Sequence, residues 1–146
     1  VGKLTEAIAD DAKRRQVVDD GVQLLEDEVR SKRGLSGVAV KAAFKVVKAF
    51  RPGILPMAMN SLLDEFAAQI DPHYDAFVAS GGNDLGRYFV QNGTQIANSL
   101  LSITDARASV SPNPPLKKAY SKLRPSAAQH IEDALPRLGA MVARHV

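Results

Sequence analysis

The sequence predicts an all-α fold, and three observations predict it. Apolar residues recur at three- and four-residue spacing over most of the chain, which places them on one face of a helix. No segment of useful length alternates apolar and polar side chains as a half-buried strand does. Glycine and proline fall between the periodic stretches, where they stop one helix and start the next. Together these read as a single helical domain over residues 1–146, a multi-helix bundle of about seven to nine helices.

Asp10 and Asp11 precede the first long helical stretch, where carboxylates favour the positive end of the helix dipole. Within it Val18, Val22, Leu25 and Val29 share a face, widened by Val17 and Leu24, and Gly34 is the expected stop. Ser36 is the expected N-cap of the next helix, which runs to about Phe50 before Pro52 ends it. Lys41, Lys45 and Lys48 fall within about 60° of one another on its wheel. Nearly everything else on it is apolar, so it is expected at the buried centre with the lysines as its solvent window.

Pro56 suits the first turn of the following helix, whose stripe is Met59, Leu62, Leu63, Phe66 and Ile70. Asp71-Pro72 is expected to restart the chain as a cap followed by proline, opening a short helix with Tyr74, Phe77 and Val78 that Gly81-Gly82 closes. Asn83 is the expected cap of a stretch with Leu85, Tyr88 and Phe89, and Asn92-Gly93 is a turn. A helix with Ile96, Leu100 and Ile103 leads to a flexible linker, Ser109 to Pro115. Beyond it Leu116, Tyr120 and Leu123 share one face. Ala128, Ile131, Leu135, Leu138 and Val142 continue the pattern, with Pro136 expected to kink or split it near Leu135.

One pattern occurs twice. Val40-Lys41-Ala42-Ala43-Phe44 leads into Arg51-Pro52, and Leu116-Lys117-Lys118-Ala119-Tyr120 leads into Arg124-Pro125. Each Arg-Pro is followed by another apolar-periodic stretch, which defines two helix–Arg-Pro–helix units over residues 36–70 and 113–143. The second is shorter by about one turn and more polar.

Composition narrows the function classes. At 146 residues, 45% apolar and 24% charged, the chain has the make-up of a globular domain rather than a disordered one. No run approaches the roughly 20 apolar residues of a membrane-spanning helix, and the first residues lack the apolar core of a signal peptide. Cysteine is absent, which excludes disulfides, thiolate metal sites and a cysteine nucleophile, and fits a cytoplasmic setting. The net charge of +3 is unevenly spread: −1 over 1–33, +2 over 34–70, −2 over 71–109 and +4 over 110–146. The positive surplus therefore falls on both units of the repeated pattern.

Leu35-Ser36-Gly37, Val40-Lys41-Ala42-Ala43-Phe44 and Lys48-Ala49-Phe50-Arg51-Pro52-Gly53 are followed later by Thr104-Asp105-Ala106-Arg107-Ala108 and Ala134-Leu135-Pro136-Arg137-Leu138-Gly139. In these blocks the chain resembles a family of small bacterial proteins that is a domain of unknown function. The resemblance implies a single helical domain and carries over no catalytic residues.

The residues support little chemistry. His73, His130 and His145 do not pair at helical spacing, so a helical zinc site lacks its ligands, and no cofactor is expected. His73 between Asp71 and Asp75, and His130 beside Glu132 and Asp133, read as surface histidines, and His145 as a frayed terminus. Asp10-Asp11, Asp19-Asp20 and Glu26-Asp27-Glu28 read as solvated helix faces. Gly81-Gly82-Asn83-Asp84-Leu85-Gly86 lacks the Gly-Lys-Ser/Thr ending of a phosphate loop and reads as an interhelical turn.

The basic stripes remain: Lys41, Lys45, Lys48 and Arg51 in one unit, Lys117, Lys118, Lys122 and Arg124 in the other. The leading expectation is a non-catalytic helical interaction protein, with self-association or a basic surface that meets an acidic protein partner. The second is a weak, sequence-independent nucleic-acid binder, less favoured because the basic footprint is thin and aromatics are few. The third is a small-molecule binder or enzyme with a pocket between helices, using His73, Tyr74 or His130.

Overall fold

The computed structural model describes residues 2–146. Seven helices, and no strand, account for the regular structure of those residues: α1 (Lys3–Ala7), α2 (Asp11–Ser31), α3 (Gly34–Phe50), α4 (Ile54–Ala79), α5 (Leu85–Gln91), α6 (Gly93–Val110) and α7 (Pro114–His145). The all-α single-domain bundle is as expected.

Asp10 caps α2, its carboxylate accepting from the Lys13 amide at 2.8 Å. Val17 and Val18 are equally buried, but beyond them the buried line of α2 sits one residue earlier than the apolar pattern implies. It follows Gly21, half-buried Leu24 and Glu28, while Leu25 is 37% exposed. Gly21 explains the shift: a Cβ there would lie 3.0 Å from the Met59 side chain, so α4 packs against the bare backbone of α2.

α3 departs from expectation more sharply. It begins at Gly34, with Ser36 inside the helix rather than capping it. Only Gly37, Val40 and Ala43 are buried, while Leu35 is 92% and Val38 67% exposed. α3 is an edge helix, because its small residues on one side let α7 pack close and leave the other apolar side uncovered.

Arg51-Pro52-Gly53 makes a true turn into α4, with Gly53 at φ 74°. The expected break at Asp71-Pro72 does not occur, for α4 runs through Pro72. Asp71 is buried and caps α1 instead, accepting from the Leu4 amide at 2.7 Å, the Thr5 amide at 3.3 Å and Thr5 Oγ1 at 2.6 Å. With that carboxylate engaged elsewhere, Pro72 costs α4 one backbone bond while the stripe from Leu63 to Ile70 stays anchored. Asp84, one residue after the expected Asn83, caps α5 through the Arg87 amide at 3.1 Å.

The second Arg-Pro unit is not a hairpin. Pro125 and Pro136 both lie inside α7, which runs unbroken for 32 residues. The expected linker contracts to residues 111–113, between the end of α6 at Val110 and the start of α7 at Pro114. α7 packs against α2, α3, α5 and α6 along its length, and those contacts hold the helix across each proline. Near Pro136 the crossing with α5 is backbone on backbone: a Cβ on Gly139 would overlap Gly86, and one on Gly86 would come within 3.3 Å of the Pro136 carbonyl. Gly86 therefore serves a helix crossing.

Two apolar clusters form the core. Ile8, Val17, Val18, Leu63, Ala67 and Met141 make the first, and Ile70, Leu85, Phe89, Ile96, Leu135 and Val142 the second. Leu4 and Leu138 pack against both.

Candidate ligand cavity

The helices do not close completely on one another. Between them lies a cavity of about 470 Å³, walled by Leu24 and Val29 of α2, Phe44 and Val47 of α3, Phe66 of α4, Leu100 of α6, and Leu123 and Met141 of α7. Protein interiors pack as densely as organic crystals, so a void of this size marks a place where side chains are too small to meet. Ala43, Ala67, Ala127 and Ala134 line it, all small side chains turned inward. Leu25 and Val29 also border it, so part of the α2 face expected to be buried fronts this space.

Six polar residues interrupt the wall: Glu28, Lys32, Thr104, Tyr120, His130 and His145. Three groups of contacts hold them. Tyr120 and Thr104 hydroxyls lie 2.7 Å apart, and Tyr120 also donates to Asp105, which Arg124 grips from Nε at 2.9 Å and Nη2 at 3.2 Å. Burial, then the Asp105 carboxylate, pushes the Tyr120 phenol up, whereas the Tyr120 and Arg124 hydrogen bonds hold Asp105 down. At the C-terminal end of α7, His145 Nε2 lies 2.6 Å from Asp20, whose carboxyl is pushed down chiefly by that bond.

The third group is the most buried. Glu28, 8% exposed, accepts from Arg137 Nη1 at 2.7 Å and pairs with Lys32 at 3.4 Å. Lys32 also donates to Asp133 at 3.2 Å. Beside them stands His130, whose two ring nitrogens are both shielded from solvent with no hydrogen-bond partner. Burial, followed by the nearby Lys32 charge, pushes its pKa below the ordinary histidine value, which favours the neutral ring. A charged hollow of about 590 Å³ adjoins this corner, lined by Lys32, Arg33, Arg137, Glu28 and Asp133 together with Ser31, Ser36, Ser126 and Gln129.

Several sequence expectations are corrected here. Glu28 belongs to a buried ion cluster rather than a solvated face. His130 is an inward-facing ring, and His145 is fixed by Asp20 rather than frayed. The 17–21–24–28 line carries the signal that locates Glu28, but a glycine and a glutamate on it hide the pattern from an apolar count. Of His73, Tyr74 and His130, only His130 reaches the cavity. His73 is half-buried, with its pKa pushed down by desolvation, and Tyr74 stacks obliquely on Phe77 at 6.3 Å.

The basic stripes lie outside. Lys41, Lys45, Arg51, Lys117, Lys118 and Lys122 are exposed and form no ion pair among the described residues. Lys48 pairs with Glu26 at 3.1 Å and sits over the Phe44 ring at 5.4 Å, and half-buried Arg124 is held by Asp105. Among the described residues no three metal-ligating side chains converge, and no helix is long and apolar enough to cross a membrane.

Neither a curated protein nor a solved structure matches the chain. A family model described as "Family of unknown function (DUF6918)" matches residues 4–146. The chain thus belongs, over nearly its whole length, to that family of unknown function.

Proposed function

We propose that this protein is a non-catalytic binding protein that holds an apolar small molecule between its helices. The observation that carries this reading is the cavity of about 470 Å³ with its almost wholly apolar wall. Its size falls in the ordinary range of ligand pockets, ~300–1,000 Å³. An apolar occupant would bury that wall from water, which is favourable in proportion to the area covered. The buried ions at its edge are paired with one another: Glu28 with Arg137 and Lys32, and Lys32 with Asp133.

The test is binding of the neutral apolar fluorophore N-phenyl-1-naphthylamine. Wild type should bind it with blue-shifted emission, and Ala127→Leu/Ala134→Leu, which fills the cavity from α7, should lose that binding while keeping its helical CD spectrum. Equal binding by the filled variant would place the probe elsewhere and refute the reading.

A second reading concerns the surface. Six exposed cations that form no ion pair among the described residues lie on α3, in the turn just after it (Arg51) and on the first half of α7, and α3 and α7 pack on each other. This supports an acidic protein partner for the basic face. Lys41→Glu/Lys45→Glu/Lys48→Glu should abolish its capture, and a linear fall of log affinity for duplex DNA with log salt would favour a phosphate backbone instead. A reducing, cytoplasmic setting is the one that the cysteine-free sequence fits.

A further inference from the structure

The interior cavity and the outer hollow share Glu28, Lys32 and His130. One is apolar and the other charged, so a molecule occupying both has a hydrocarbon tail and a polar head. Resting on the cavity reading above, we infer that the ligand is a single-chain carboxylic acid whose carboxylate lies between His130 and Lys32 and whose tail fills the interior.

Three observations select that head. Both His130 ring nitrogens are shielded from water and unpartnered, and a pure hydrocarbon would leave them so. A ring N–H donates well to a carboxylate oxygen. Next, an ammonium group has three donors; Asp133 and Glu28 engage two from Lys32, which leaves one for a ligand. Finally, Lys32, Arg33 and Arg137 face Glu28 and Asp133 around the hollow, three positive charges against two negative. A monoanion balances that excess, whereas a phosphomonoester, at about −1.5 to −2, overshoots it.

The tail length follows from the volume. A cavity of about 470 Å³ is of the size that takes an extended medium-length alkyl chain.

Displacement of N-phenyl-1-naphthylamine by dodecanoic acid and by its methyl ester, both kept below their aggregation limits at pH 8, tests the inference. The acid should displace the probe at about tenfold lower concentration than the ester, the scale of one charge-assisted hydrogen bond. In His130→Phe, and separately in Lys32→Met, the acid-to-ester ratio should fall toward one. Equal potency of acid and ester on wild type overturns the carboxylate head and leaves the apolar cavity standing. Failure of the probe and of both competitors to bind overturns the cavity reading, and this inference with it.

Discussion

Replacing Asp71 with alanine removes the contact that holds α1 against α4. The carboxylate accepts from the Leu4 amide at 2.7 Å, the Thr5 amide at 3.3 Å and Thr5 Oγ1 at 2.6 Å. It supplies from across the fold the cap that α1 lacks in its own sequence, since Gly2 at the N-cap position has no side chain to offer. Loss of an N-cap costs about 0.5–2 kcal/mol, and hydrogen bonds to a charged acceptor contribute about 1.5–3 kcal/mol each. The three share one carboxylate and do not add, so Asp71→Ala should cost about 2–4 kcal/mol. For a chain of this length that is a drop of roughly 6–12 °C in Tm. Leu4 packs on both core clusters and Ile8 lies in the first, so release of α1 also loosens their packing. Thr5→Val, which deletes one of the three bonds, should cost about 1 kcal/mol. Thermal unfolding followed by far-UV CD measures the loss, and hydrogen exchange at residues 3–8 localises it. The geometry offers an independent check, because a Cβ on Gly2 would overlap the Asp71 carboxyl; Gly2→Ala should raise exchange over the same residues. A Tm for Asp71→Ala within 1 °C of wild type, with unchanged exchange at the Leu4 and Thr5 amides, would refute the assignment of Asp71 as the cap of α1.

Further outcomes follow from the same structure. Gly139→Ala forces α5 and α7 apart at their backbone crossing and should cost about 1–3 kcal/mol in urea unfolding; an unchanged midpoint would contradict the crossing. Arg137→Met leaves buried Glu28 with Lys32 alone and should cost about 1–3 kcal/mol, whereas Glu28→Gln/Arg137→Met should recover part of that loss. His130 and His73 both have folded pKa values below the unfolded value of about 6.5. As pH falls through about 6.5 the unfolded chain binds protons that the native chain does not, so stability declines until the folded values are passed. The urea midpoint should therefore be lower at pH 5.5 than at pH 8, and His130→Phe should reduce the difference; a pH-independent midpoint would remove both rings from the buried set.

The helix order and class were legible because periodicity and glycine punctuation report local geometry. The break at Arg51-Pro52 and the start of α2 at Asp10-Asp11 match the structure for that reason. The errors cluster at proline. Pro72, Pro125 and Pro136 each weaken one helix locally, but α4 and α7 persist because their stripes are held by partners far away in sequence, which a window of residues does not contain. The edge position of α3 was illegible for the same reason, since its apolar circumference does not say which side α7 will cover. The candidate cavity was even less visible. Glu28 and His130 look like solvated polar residues until α2 and α7 are brought together, and a void between helices leaves no mark on any single one of them.

The arrangement of α7 bears on how the protein is made. This helix supplies packing for α2, α3, α5 and α6, and the ribosome completes it after all of them. While its residues are still within the exit channel, the earlier helices have emerged without their common partner, and their apolar stripes stand open to solvent. The nascent chain is thus at its most aggregation-prone just before α7 emerges, and the cavity comes into being only once α7 has joined the bundle.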